Sequence, residues 1–174
     1  VQMTTDDSLY CIGDVAELSS TGDPSYDYTW YVGDTILKGL KVNYKLQGLE
    51  DTLISLQGEI TTPVACSTTI TKKIHIDPYP TLVVRGDTIV CNGSVSNLEV
   101  YADVAEKYAW SYSPTGYPEL ATGSAYSVVP PTDTTFYIAV TTKAGCRTID
   151  SFYVYVMKPI IEADTTDICP GGMV

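Results

Sequence analysis

Five cysteines are the residues of this chain best suited to chemistry, and four of them fall into a repeated frame. Cys11, Trp30 and Cys66 are spaced by 19 and 36 residues, and Cys91, Trp110 and Cys146 repeat both intervals 80 residues later. Paired thiols at one spacing can form disulfides or ligate a metal. A structural zinc site takes four Cys or His ligands, whereas each copy offers two cysteines and the whole chain one histidine, His75. Disulfides are therefore expected, Cys11 with Cys66 and Cys91 with Cys146. Closing such a loop would stabilise each copy by roughly 4 kcal/mol on the chain-entropy estimate. Cys169 is the odd cysteine, left without a partner in this stretch.

Other groups offer less. His75 stands between Ile74 and Ile76, so it should point outward from a strand, and no nucleophile is arranged with it in sequence. Nothing in the pattern suggests catalysis, and the reading is a protein that is not an enzyme. Asp is followed by Ser or Thr at Asp7, Asp34, Asp51, Asp87, Asp133, Asp150 and Asp164. Two readings stand side by side: Asx-type turns where strands begin, or a modification motif at the hydroxyls. Arg85-Gly86-Asp87 spells an integrin-type tripeptide, but it directly precedes the strand leading to Cys91, so coincidence is preferred. Asn92-Gly93-Ser94 spells a glycosylation acceptor and reads equally as a turn. The acidic pairs Asp6-Asp7 and Asp164 with Asp167 stand at equivalent starts. Calcium at the junctions would suit them, but no calcium-loop spacing is present, so solvated charge is the default. No metal ligand set and no cofactor are assigned.

The elements that hold these residues are strands. Val15 and Leu18, then Ile70, Lys72, Ile74 and Ile76, then Phe152, Val154 and Val156 alternate as a half-buried strand requires. No segment keeps a helical period, and Pro, Gly, Asn and Asp interrupt the chain about every ten residues. Fourteen tyrosines against two phenylalanines suit strands with one wet face. The fold expected is all-β, a sandwich of short antiparallel strands in each copy. Trp30, Trp110, Tyr28 and Tyr108 are assigned to the two cores.

Superposition of the copies sets the domains. Cys11, Gly13, Val15 and Leu18 fall on Cys91, Gly93, Val95 and Leu98, and Thr68 falls on Thr148. Asp51-Thr52 matches Asp133-Thr134 only at an offset of 82, which predicts a hairpin two residues longer in the first copy. Asp77-Pro78-Tyr79-Pro80 and Lys158-Pro159 read as short linkers. The domains are 1–78 and 79–158, and 159–174 reads as the first strand of a truncated third repeat, because Ile168-Cys169-Pro170-Gly171 resembles Val90-Cys91-Asn92-Gly93. Units so joined should form a rod with restricted bending.

Charge limits the partners. The net charge is −11, with 21 acidic against 10 basic residues. Nucleic acid needs clustered Lys and Arg, and anionic lipid seeks polybasic segments. Neither partner is expected. No stretch reaches the ~20 apolar residues of a membrane helix, so membrane insertion is not expected. The chain starts at Val1 with no signal peptide, which reads as part of a longer secreted protein.

Tyr28-Thr29-Trp30-Tyr31-Val32-Gly33-Asp34 resembles the core strand and turn of PKD-type Ig-like domains. The second copy, Tyr108-Ala109-Trp110-Ser111-Tyr112-Ser113-Pro114, is similar to the variant found in Ig-like repeats of Bacteroidota surface proteins. Asp87-Thr88-Ile89-Val90-Cys91, Thr134-Thr135-Phe136-Tyr137, Ala144-Gly145-Cys146 and Ile168-Cys169-Pro170-Gly171-Gly172 fit the same repeats. The resemblance implies tandem Ig-like/PKD-like sandwiches in a giant adhesin, gliding or surface-fibre protein exported by the type IX system. It implies a non-catalytic spacer or adhesive rod at the cell surface, with neighbouring repeats, surface glycans or other surface proteins as partners, and it carries over no ligand site. It also implies O-glycosylation at Ser8, Thr35, Thr52, Thr88, Thr134 and Thr165, where Asp-Ser/Thr is followed by Leu, Ile or Thr. A carbohydrate-binding or accessory module of a glycan-degrading enzyme is one alternative, reading Tyr117 and Tyr126 as exposed. A scaffold subunit of a surface or secretion complex is the other.

Overall fold

A computed structural model describes residues 2–5, 8–48 and 51–158. Among them the chain forms sixteen strands, in the all-β sandwich architecture expected. The first eight are β1 (Met3–Thr5), β2 (Leu9–Cys11), β3 (Val15–Ser20), β4 (Asp27–Val32), β5 (Thr35–Lys38), β6 (Lys41–Lys45), β7 (Thr52–Ile60) and β8 (Cys66–Asp77). The next eight are β9 (Leu82–Gly86), β10 (Ile89–Cys91), β11 (Ser96–Ala102), β12 (Lys107–Ser111), β13 (Glu119–Thr122), β14 (Ala125–Val128), β15 (Thr134–Thr141) and β16 (Arg147–Met157). Each set of eight builds one three-stranded and one five-stranded sheet. The orders are β1-β3-β6 with β2-β8-β7-β4-β5, and β9-β11-β14 with β10-β16-β15-β12-β13. Strand for strand, the second order repeats the first.

The opening segment of each sandwich serves both sheets. β9 pairs antiparallel with β11, and after Asp87-Thr88 the chain crosses so that β10 lies parallel to β16. Asp87 holds the crossing: its amide donates to the Asn97 carbonyl, and its carboxylate accepts from the Asn97 amide. Gly86 is required there because an added Cβ would stand 2.5 Å from the Asn97 carbonyl oxygen. Arg85 and Gly86 thus end a strand packed against its neighbour, and Asp87 follows in the crossing rather than at the tip of a loop.

Alternation along the strands fills two separate cores. Tyr28, Trp30 and Val32 of β4 meet Ile54, Leu56, Ile74 and Ile76 in the first. Trp110 meets Phe136, Ile138, Val140, Val154 and Val156 in the second. Both tryptophans are fully buried, and a buried indole N–H needs an acceptor. Trp30 donates to the Gly39 carbonyl at 2.8 Å and Trp110 to the Gly123 carbonyl at 3.0 Å. Those glycines, at φ 130° and 103°, sit where the chain leaves the large sheet for the small one. Tyr28 is buried and donates to the Asp23 carbonyl, while Tyr108 is half-buried against the second core.

The turn before the last strand differs as the offset predicts. Cys66 faces Ile60 across a five-residue turn, whereas Thr142 donates its amide to the Cys146 carbonyl across three residues.

Candidate functional site at the junction of the sandwiches

The structure corrects the cysteine pairing. Cys11 is bonded to Cys146, 135 residues away, with Cα atoms 5.4 Å apart. Cys66 and Cys91 are exposed and, among the described residues, outside any disulfide. Strand geometry explains why the equal spacing misleads. Cys11 in β2 lies beside Asp77, the last residue of β8, while Cys66 is its first residue. At ~3.3 Å per residue the ends of this strand are roughly 35 Å apart, whereas a disulfide holds its Cα atoms within about 7 Å. The same holds in the second sandwich, where Cys91 lies beside Met157 and Cys146 immediately precedes β16. Each sandwich therefore carries one cysteine at each end. The disulfide joins the lower end of the first to the upper end of the second.

Asp77 lies beside this bond and is almost buried. Its carboxylate accepts the amide proton of Ala144 from the second sandwich at 2.9 Å, and its carbonyl oxygen lies 3.7 Å from Cys146 Sγ. His75 Nε2 is 2.9 Å from the same carboxylate, and His75 Nδ1 meets Asp51, which also pairs with Lys73. Burial works against the charge of Asp77, but the Ala144 amide, the Thr142 hydroxyl and His75 together hold its carboxyl below the usual range. Hydrogen bonds from Lys73 and then His75 likewise lower Asp51. Asp51 first and Asp77 second raise His75 above its usual value. His75 thus stands between two carboxylates, one on each ring nitrogen, and links Asp51 to Asp77. The chemistry of the junction is mechanical: one covalent bond and one charge-assisted hydrogen bond fix one sandwich on the next.

The sequence signalled Cys11 and Cys146 but not their union, and it missed Asp77, Ala144 and the two carboxylates of His75. One signal was present: each second cysteine is separated from the following Pro linker by a whole strand, so it must lie at the far end of its own domain. Of the other assigned residues, Ser8 and Thr88 are exposed, and Thr35, Thr52 and Thr134 are half-buried. All five stand at or just before the first residue of a strand. Three of the aspartates that precede them are engaged across strands rather than in Asx turns: Asp87 with Asn97, Asp133 with the Val156 amide, and Asp51 with Lys73 and His75. Tyr117 is 82% exposed, but Tyr126 is not an exposed aromatic; its ring packs 5.9 Å from Trp110 and 6.0 Å from Phe136. Asp6-Asp7, Asp164, Thr165, Asp167 and Cys169 lie outside the described residues. Among those that are described, no three His, Cys, Asp or Glu side chains are grouped to hold a metal ion. No described helix is long and apolar enough to cross a membrane.

Residues 78–157 match the family described as Ig-like domain CHU_C associated. No curated protein matches the chain. Solved structures similar to it include the insect immune protein hemolin, at 11% identity and a TM-score of 0.43 over 91% of this chain and 47% of that one. A Ca2+-stabilized adhesin with which an Antarctic bacterium binds ice is 11% identical, at a TM-score of 0.49 over 91% and 49%. A 1.5-MDa bacterial ice-binding adhesin is 11% identical, at a TM-score of 0.46 over 90% and 65%. The chain spans about half of the hemolin and Antarctic adhesin chains.

Proposed function

We propose that this chain is a non-catalytic structural and adhesive module of a large bacterial cell-surface protein, of the kind Bacteroidota export by the type IX system. Its two Ig-like sandwiches act as a stiff extracellular spacer that carries a binding region away from the cell. The observation that supports this most is the Cys11–Cys146 bond with the Asp77–Ala144 contact beside it. A covalent bond between successive sandwiches removes the hinge that a short linker alone leaves. Disulfides persist in oxidising compartments, and the acidic surface suits an exposed, soluble rod.

Small-angle scattering before and after reduction tests the mechanical part. The oxidised chain should scatter as one elongated shape, and the reduced chain, or a Cys11→Ser/Cys146→Ser variant, as an ensemble of bent ones. Identical flexible ensembles in both states would remove the spacer reading. Surface location is checked by antibody labelling of intact host cells.

O-glycosylation at Ser8, Thr35, Thr52, Thr88, Thr134 and Thr165 belongs to the same proposal, since the described hydroxyls stand at strand starts with some surface open. The intact mass of the protein from its host decides it: an excess in sugar units supports the sites, and the bare sequence mass removes them.

A further inference from the structure

We infer that Cys66 and Cys91 are the outer halves of two more disulfides of the same kind, so that each sandwich is stitched covalently to the repeat before it and the repeat after it. This rests on the reading of the chain as part of an array.

The argument is one of equivalence between backbone frames. Cys11 ends β2, lies beside Asp77 in parallel register, and is followed by a turn in which the Asp14 amide donates to the Cys11 carbonyl. Cys91 ends β10, lies beside Met157 in the same register, and is followed by a turn in which the Ser94 amide donates to the Cys91 carbonyl. The amides after the two cysteines also match: Ile12 donates to the Asp77 carbonyl and Asn92 to the Met157 carbonyl. Both turns use a glycine with positive φ, Gly13 at 90° and Gly93 at 83°. Cys91 thus presents its thiol at the lower end of the second sandwich as Cys11 does at the lower end of the first. Cys66 is the counterpart of Cys146, at the turn before the last strand and the upper end of the first sandwich. Among the described residues, the thiols left outside a disulfide are these two, and both are exposed. At the inner junction the same two positions, lower-end and upper-end, are bonded to each other.

The occupants follow. Cys91 takes a cysteine carried on the turn before the last strand of a following repeat. Cys66 takes a cysteine at the end of a short second strand, before a Gly turn, in a preceding repeat. The segment Ile168-Cys169-Pro170-Gly171 has the sequence pattern of such a second strand, so the following unit is expected in the same chain. Each bond forms by thiol–disulfide exchange: two thiols give up two protons and two electrons to an oxidised dithiol oxidoreductase, which leaves as the dithiol.

The test is disulfide mapping of the full-length protein taken unreduced from its host, with free thiols alkylated before digestion. Cys91 should be found joined to a peptide outside residues 1–174, and Cys66 to one ending in a Cys-x-Gly pattern. Alkylated Cys66 or Cys91, a Cys11–Cys66 or Cys91–Cys146 peptide, or a Cys66–Cys91 bond between two copies would each overturn the inference. If Cys91 is a free thiol while Cys11–Cys146 is intact and the scattering shows a rod, this inference fails alone. Free thiols at Cys11 and Cys146 would take the proposed function with it.

Discussion

The two sandwiches share their strand order, their tryptophan and the backbone frame around Cys11 and Cys91, yet they surround that cysteine differently. In the first it is sealed in a bond to the next sandwich, with Asp77, His75 and Asp51 beside it. In the second it is exposed, and the positions matching His75 and Asp77 are Tyr155 and Met157. The cores and the cysteine frame are duplicated, but the charged groups beside the cysteine are not. An Ig-like unit can therefore keep its interior while its ends are adapted to particular neighbours.

The largest effect should come from breaking what the two share. Trp30→Ala or Trp110→Ala removes the largest fully buried side chain of its core and should cost about 3–5 kcal/mol. Because the cores are separate clusters, each substitution should lower the denaturation midpoint of its own sandwich and spare the other. Intrinsic fluorescence from the remaining tryptophan reports that difference. Equal unfolding of both would show the sandwiches to be one cooperative unit.

A smaller effect is expected at the glycines that receive the indole protons. Gly39→Ala and Gly123→Ala force a side chain into a left-handed backbone, costing roughly 1–2 kcal/mol. At Gly123 an added Cβ meets nothing within 4 Å, so the loss there is purely conformational. At Gly39 the Lys41 carbonyl stands 3.6 Å away, which is ordinary contact. The two losses should therefore be similar in thermal melts. A much larger loss at either would mean the turn is also held by packing.

Much of the interior was legible because period-2 alternation and a repeated Trp are local signals: Ile74 and Ile76 bury, His75 does not, and the first hairpin is two residues longer. The cysteine pairing was not legible, although its four residues were. Spacing of 55 residues says nothing of which end of a strand a thiol occupies, and the parallel pairing of β2 with the far end of β8 is a tertiary event. Tyr126 was misread for a related reason. Its alternation in β14 fits either face, and only the packing of Trp110 and Phe136 shows that its ring turns inward. Asp77 was invisible as a junction group because its partner is a backbone amide, which carries no residue type.

The smallest and most specific effect is in pH. Asp77 has a carboxyl held below its usual value, so its hold on Ala144 is complete above about pH 4 and is lost as pH falls through the lower folded value. His75 is raised, so its contribution is complete below about pH 6.5 and is lost as pH rises through its higher folded value. The charges facing His75 are Asp51 and Asp77, with Lys73 behind Asp51. The junction should thus be tightest between about pH 4 and 6.5, and the outer end at Tyr155 and Met157 should show no such window. NMR titration separates the two. The Ala144 amide proton should move upfield with a midpoint below 4, and that step should vanish in Asp77→Asn. The His75 ring should titrate above 6.5, and because Asp51 is the larger influence, Asp51→Asn should lower that midpoint more than Asp77→Asn does. An Ala144 amide indifferent to acid would mean that Asp77 does not hold the second sandwich.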